Sequence, residues 1–271
     1  MKLTTKIIFG IILSIFVISL IIIIGFSFTD RKKSSYSNIE LPQDKITGVE
    51  LTAFNTIVID EISYESKGHK YYSIENSIVN IDRLPEKDNS DSLFLPESLK
   101  DYAIIKTSAD TLKIILDING LKDKYSDTKS NTISGINMRF CISKIDIINN
   151  LQDLSIIIKN IETDSINVCS QGKVFIDSCK MQFICPLIEN YFRGGFYITN
   201  CDIKTVNLDL DILQDWNIEK CNIEEQNITG SRIHYMTHLC NEPTNINWIP
   251  KTNEAELYIR IPGDTIQVSI Q

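Results

Sequence analysis

The chain has 271 residues, 43% of them hydrophobic, enough to bury a sizeable core in one large domain or two smaller ones. Its formal charge of −8, with 27 basic residues scattered among 35 acidic ones, leaves no clustered Lys and Arg for a nucleic-acid surface. Glycine (11) and proline (7) are too sparse for a collagen-like or disordered chain.

From Ile7 to Phe28 the sequence IIFGIILSIFVISLIIIIGFSF carries no charge. As a helix rising about 1.5 Å per residue, it is long enough to cross a bilayer. A cleaved signal peptide has a shorter apolar core and a small-x-small exit, which GFSFTD lacks. Residues 1–29 are therefore expected to be a short N-tail and one transmembrane α-helix, with the lipid bilayer as the partner of residues 7–28. Lys2 and Lys6 on one side nearly balance Arg31, Lys32 and Lys33 on the other, so charge alone does not orient the span. A span at the start of a chain with one long following domain is expected to act as a signal anchor in the inner membrane, with the head on the periplasmic or extracytoplasmic side. The alternative keeps the head at the cytoplasmic face. Residues 30–45, polar and without apolar periodicity, read as a linker.

Beyond the linker, short β-rich runs such as ITGVEL, FNTIVID, YAIIKT and TLKIILDI alternate with polar turns. Residues 46–131 form the first β region of the head. Pro85–Asp91 and Lys122–Asn131 are charged and turn-rich and are expected to be exposed loops.

Residues 132–271 repeat. Ile158-Lys-Asn-Ile161, Ile176-Asp-Ser-Cys179, Ile198-Thr-Asn-Cys201 and Ile218-Glu-Lys-Cys221 recur about every 20 residues, with a fainter forerunner at Ile142-Ser-Lys-Ile145. A period of that length built from strand-type residues predicts an all-β head of the β-solenoid, or β-helix-like, kind, each coil laying its strands on those of the coil below. Apolar residues three apart have opposite parity in an unbroken strand, so a corner or bulge is expected near Asn160, Ser178, Asn200 and Lys220. Stacking then places Cys179, Cys201 and Cys221 in a structural ladder, with Ile161 one rung away. Cysteine behaves as a small hydrophobe in such a core, and in-register side chains run parallel, which disfavours bridging. The seven cysteines, odd in number and without a CxxC pair, predict neither a complete disulfide framework nor a zinc finger. The C-terminal AELYIRIPGDTIQVSIQ reads as a hairpin around Pro262-Gly263-Asp264 that caps the last coil.

Few residues point to chemistry. His234, His238 and Cys240 lie at even spacings that one face of a strand would share, a partial set of metal ligands. Asp209 and Asp211 form a candidate acidic face, where a β-helix carbohydrate enzyme would hold its acids or calcium; period-two acids are also the usual solvated face of a half-buried strand. Trp216, Tyr191, Phe192, Phe196 and Tyr197 could line a sugar-binding surface, although Phe196 and Tyr197 point to opposite sides. With three histidines in all and no Gly-rich phosphate loop, neither a catalytic triad nor a cofactor is expected.

Leu51-TAFNTIVID-Glu61, with Phe54, Ile57 and Ile59, followed by Thr111-Leu-Lys-Ile114, resembles the opening of the auto-transporter adhesin head GIN domain family. That resemblance implies a β-helix-like stack in a membrane-anchored or exported protein of Bacteroidetes, and it supplies no catalytic residues. The leading expectation is a non-catalytic, adhesin-like binding or structural protein of the cell envelope that presents its head to a protein or glycan. A carbohydrate-active enzyme using acids near Asp209 and Asp211 is one alternative, and a regulatory or immunity-type protein at the cytoplasmic membrane face is another.

Overall fold

In Val174–Asp177 and Gly195–Thr199, as in most segments of the head, alternate residues are buried, the signature of strands with one face on a core. A computed structural model describes residues 39–61, 73–125, 132–186, 194–213, 215–237, 244–260 and 267–270. The described fold is all-β apart from short helices. The first strands are β1 (Ile39–Glu40), β2 (Ile46–Glu50), β3 (Thr56–Glu61), β4 (Ser73–Glu75), β5 (Ile78–Arg83) and β6 (Ser92–Pro96), followed by helix α1 (Glu97–Lys100). Next come β7 (Ala103–Ser108), β8 (Thr111–Leu116), helix α2 (Ile118–Tyr125), β9 (Thr132–Ser134), β10 (Asn137–Ile142), β11 (Ile147–Asn150) and β12 (Ser155–Lys159). The remainder comprises β13 (Glu162–Ser170), β14 (Val174–Asp177), β15 (Lys180–Pro186), β16 (Gly195–Thr199), β17 (Asp202–Asp209) and β18 (Asp215–Glu219). It ends with β19 (Asn222–Gly230), β20 (His234–Thr237), β21 (Asn245–Pro250), β22 (Leu257–Arg260) and β23 (Gln267–Ile270).

Two large sheets carry the fold, one ordered β18-β16-β14-β12-β5-β10-β6-β2 and the other β21-β19-β17-β15-β13-β11-β3-β8-β7. From β11 to β19 the chain alternates between them, and each strand lies parallel to the strand two places later. Ile158, Ile176, Ile198 and Ile218 are successive partners in the first sheet. Met181, Ile203 and Ile223 are successive partners in the second. At the crossing between sheets, Asn160, Ser178, Asn200 and Lys220 adopt left-handed backbone at φ 57, 56, 53 and 55°. Asn tolerates that region; Ser and Lys are held there at a cost of about 1 kcal/mol. Hydrogen bonding continues around the corner, from Ser178 N to Thr199 O (3.1 Å) and from Asn200 N to Glu219 O (3.2 Å). At the opposite crossing the coils touch backbone to backbone: a Cβ on Gly172 would sit 2.0 Å from the Leu154 carbonyl oxygen, so only glycine fits.

The core is one apolar cluster between the sheets, in which Ile156, Ile158, Val174, Ile176, Ile198, Ile166, Ile184 and Val206 are fully buried. Each such side chain contributes up to about 3 kcal/mol of burial. The C-terminal segment forms the expected hairpin, β22 against β23, and joins β20 in a small separate sheet. Its Leu257 and Ile259 enter the same core cluster.

Several expectations need correction. Ile142 is not one coil below Ile158: Ile158 pairs with Ile81 and Ile81 with Phe140, because β5 inserts between β10 and β12. Local similarity cannot register a strand supplied from far earlier in the chain. β3 likewise lies between β11 and β8, and residues 38–271 form one compact unit. The linker expected over 30–45 ends early, since Ile39–Glu40 pairs with β9 and Leu41 is buried. Lys122–Tyr125, expected in a loop, is the last turn of α2, which buries Ile118 and Leu121. Among the described residues no helix is long and apolar enough to cross a membrane. The span expected over 7–28 lies outside them.

Candidate functional site

The acids singled out in the sequence meet at the C-terminal end of the coils. Asp209 closes β17, and Asp211 follows in the turn, where its backbone N–H donates to Asp209 Oδ1 (3.2 Å). Lys251, just after β21, donates from Nζ to both carboxylate oxygens of Asp209 (2.6 and 2.5 Å) and to Asp211 Oδ2 (3.1 Å). Asp211 Oδ1 also accepts from the Ser231 backbone N–H (2.9 Å) and lies 3.2 Å from His234 Nε2. His234 packs edge-on to Trp248, and a Cβ on Gly230 would lie 2.7 Å from the His234 ring, so glycine makes room for the imidazole.

Burial pushes the Asp211 carboxyl up, but the Ser231 N–H, Lys251 and His234 outweigh it and bring it down to about 2. Burial likewise disfavours charge on Lys251, yet Asp209 and Asp211 hold its ammonium above the usual lysine range. A carboxyl so acidic holds no proton to donate at neutral pH. The cluster is an ion network in which one ammonium bridges two carboxylates. His234 faces Asp211, while His238 and Cys240 lie outside the described residues. Among the described residues no group of His, Cys, Asp and Glu is placed to hold a metal.

Cys179, Cys201 and Cys221 are buried on adjacent coils, and Ile161 is buried on the coil before them. The Cys179 backbone N–H lies 3.4 Å from Cys201 Sγ, and Cys201 Sγ lies 3.0 Å from the Thr199 carbonyl oxygen. The neighbouring Cys179 thiol, together with burial, pushes Cys201 up to about 12, and Cys201 in turn pushes Cys221 up. No described cysteine forms a disulfide.

Outward columns repeat along the sheets. Asn207, Asn227 and Asn247 are successive partners, and their side chains form a ladder in which Asn227 Nδ2 donates to Asn207 Oδ1 (3.0 Å) and Asn247 Nδ2 to Asn227 Oδ1 (2.9 Å). Phe175 and Tyr197 stack at 4.8 Å with 11° between their planes, and the Tyr197 hydroxyl donates to Asp215. Phe196 is core, Trp216 is half-buried, and Tyr191 and Phe192 lie outside the described residues. Where β15, β17 and β19 leave the corner, Lys180, Asp202, Lys204, Asn222 and Glu224 line an open groove of about 290 Å³. A neighbouring hollow of about 400 Å³ shares Lys180 and continues past Glu162 and Asp164 to Lys144. Positive and negative side chains alternate along it.

Sequence reasoning missed Lys251, which lies forty-two residues from Asp209 and meets it only because two coils separate them. It also missed Tyr235, 76% exposed and stacked on Tyr258 at 5.1 Å. Period-two alternation around Tyr235 reads as a strand but does not show that the ring is exposed.

No family model matches the chain, and no curated protein does. Among solved structures it is similar to a candidate lipid-binding protein of Parabacteroides distasonis ATCC 8503, at 13% identity and a TM-score of 0.39 over 84% of this chain and 98% of that one. It is also similar to a candidate adhesin of Parabacteroides merdae ATCC 43184, at 12% identity and TM-score 0.37 over 84% and 97% of the two chains. A candidate adhesin of Parabacteroides distasonis ATCC 8503 matches at 10% identity and TM-score 0.37 over 83% and 99%.

Proposed function

We propose that the chain is a non-catalytic binding protein of the cell envelope, whose head is a β-solenoid presenting a repeating polar face to a protein or glycan. The observation that carries this reading is the register. Because residues in successive strands of a sheet are direct partners, outward side chains stand in columns along the sheet, as in the Asn207, Asn227 and Asn247 ladder. Such a surface engages an extended partner at several points at once, so weak contacts add up.

The acids of the enzyme reading support it poorly. Asp209 and Asp211 share Lys251, and neither is arranged as a proton donor opposite a base. In this proposal residues 7–28 span the inner membrane and the head stands on the extracytoplasmic side, in line with the resemblance of Phe54, Ile57, Ile59 and Thr111–Ile114 to the GIN domain family. Those motif strands, β3 and β8, are direct neighbours.

Alkaline phosphatase fused after Gln271 tests the topology: activity is expected, and a silent fusion would favour a regulatory or immunity-type role at the cytoplasmic face. Detergent-solubilised full chain and its Asp209→Asn/Asp211→Asn variant test the binding role against purified envelope glycan and protein fractions. Retention of a fraction by both, without cleavage, is expected. Polysaccharide turnover that depends on the acids overturns the proposal.

A further inference from the structure

We infer that the outer face of the nine-stranded sheet binds an extended polypeptide laid across β13, β15, β17 and β19, of the pattern cation-x-acid-x-cation, where x is any residue. This rests on the reading of the head as a binding protein and names the class of partner for one surface of it. The four strands are neighbours in that sheet. Each opens with the same exposure: its first and third residues are exposed, its second is turned inward and its fifth is buried. Inward residues three apart break the two-residue period, so each strand bends between them. The pairing skips the third residue every time, between Asp164 and Gln182, Gln182 and Lys204, and Lys204 and Glu224. Because the bends are in register, they join into a groove that crosses the strands. A hollow of about 400 Å³ running from Lys144 past Asp164 to Gln182 continues into one of about 290 Å³ that reaches Glu224. Met181, Ile203 and Ile223 lie along its floor.

Four charges on the rims make no ion pair among the described residues: Asp164, Lys180, Lys204 and Glu224. Strand by strand they read negative, positive, positive, negative. The other rim charges keep that order. Glu162 stands beside Asp164 and is offset by Arg83 at 3.4 Å, and Lys144 is paired with Asp146. Asp202, which accepts from Asn222 Nδ2 (2.7 Å), offsets one of the two lysines and leaves the middle of the groove positive. Glu225 adjoins Glu224 at the far end, so both ends stay negative. Neighbouring strands are about 4.8 Å apart, which puts Asp164 about 14 Å from Glu224, with Lys180 and Lys204 either side of the midpoint. An extended chain turns every second side chain to one side, about 6.6 Å apart, so residues i and i+4 are about 13 Å apart and i+2 lies midway. Lys or Arg at the two outer positions then meets Asp164 and Glu224, and Asp or Glu at the centre sits between Lys180 and Lys204. Reversing the three signs would set like charges together at all three places. A neutral glycan gains nothing from this order of charge, and a polyanion is repelled at both ends.

The test uses full-length chain in an uncharged detergent at low ionic strength, with two end-blocked peptides carrying a neutral fluorophore, Lys-Thr-Glu-Thr-Lys and Lys-Thr-Gln-Thr-Lys, read by fluorescence anisotropy. The chain's formal charge of −8 attracts the Gln peptide more strongly at long range, because that peptide is the more positive. Wild type is nevertheless expected to bind the Glu peptide roughly fivefold more tightly, through the exposed ion pairs its central carboxylate makes with Lys180 and Lys204. The Lys180→Glu/Lys204→Glu variant should invert the order and prefer the Gln peptide. Unfolding weakens both peptides alike, so an inversion reports the local contact. The inference is overturned if wild type binds neither peptide, if it binds the Gln peptide as tightly as the Glu peptide or more so, or if the variant keeps the wild-type order. Failure of the peptides with retained capture of an envelope fraction refutes this groove and leaves the broader binding role standing; loss of both refutes that role too.

Discussion

Lys251 lies within 2.6 Å of each carboxylate oxygen of Asp209 and 3.1 Å from Asp211, so one ammonium bridges both acids and offsets one of their two charges. Asp211 is held at about 2 although burial opposes it, against an ordinary value of 3.8. A carboxyl depressed in the folded state contributes stability above its unfolded value and loses that contribution as pH falls from about 4 to about 2. Lys251→Met should therefore cost about 1 kcal/mol at neutral pH, the groups being partly exposed, and should move acid unfolding to higher pH within that window. Circular dichroism against pH measures this, and an unchanged acid midpoint would show that the network does not stabilise the fold.

Lys220 occupies a left-handed corner at φ 55°, where its side chain is exposed. Lys220→Gly removes the Cβ clash and should stabilise the fold by roughly 0.5–1 kcal/mol, whereas Lys220→Val should destabilise it by more than about 1 kcal/mol. Denaturant midpoints of the two variants should move in opposite directions.

Gly194 continues the glycine contact made by Gly172: a Cβ there would fall 1.9 Å from the Gly172 carbonyl oxygen. Backbone cannot yield as a flexible side chain does, so Gly194→Ala should cost roughly 3 kcal/mol, as overpacking of a rigid site does. A variant with wild-type stability would mean that these coils do not approach as described.

Buried Cys179, Cys201 and Cys221 should resist iodoacetamide in the native chain while half-buried Cys169 and Cys185 react first. Burial denies access to all three, and Cys201 is in addition pushed up to about 12, so little thiolate forms at neutral pH. Mass spectrometry of a labelling time course gives the order. Rapid native labelling of Cys201 would contradict the column.

Ile158, Ile176, Ile198 and Ile218 were legible as equivalent positions because each fills a buried place in the same sheet, and the parity break after each one locates the left-handed corners. What was not legible came from chain far away. β5 pairs with β12 and β10 through its backbone ladders, its buried Val79 and Ile81 and the Asp82–Arg139 ion pair, and nothing in IVNIDR says which strands it joins. The acids were visible as a pair in sequence, but their partners Lys251 and His234 are brought in by later strands. Exposure cannot be read from residue type, so Tyr235 looked like any other strand aromatic.

Methyl NOEs between isoleucines in full-length, Ile-δ1-labelled protein probe the coil stacking most directly. Cross-peaks are expected along Ile81, Ile158, Ile176, Ile198 and Ile218, each to its immediate neighbours. A strong contact between Ile142 and Ile158 in place of Ile81 and Ile158, or no contact between Ile176 and Ile198, would contradict the account and remove the repeating face on which the binding role rests.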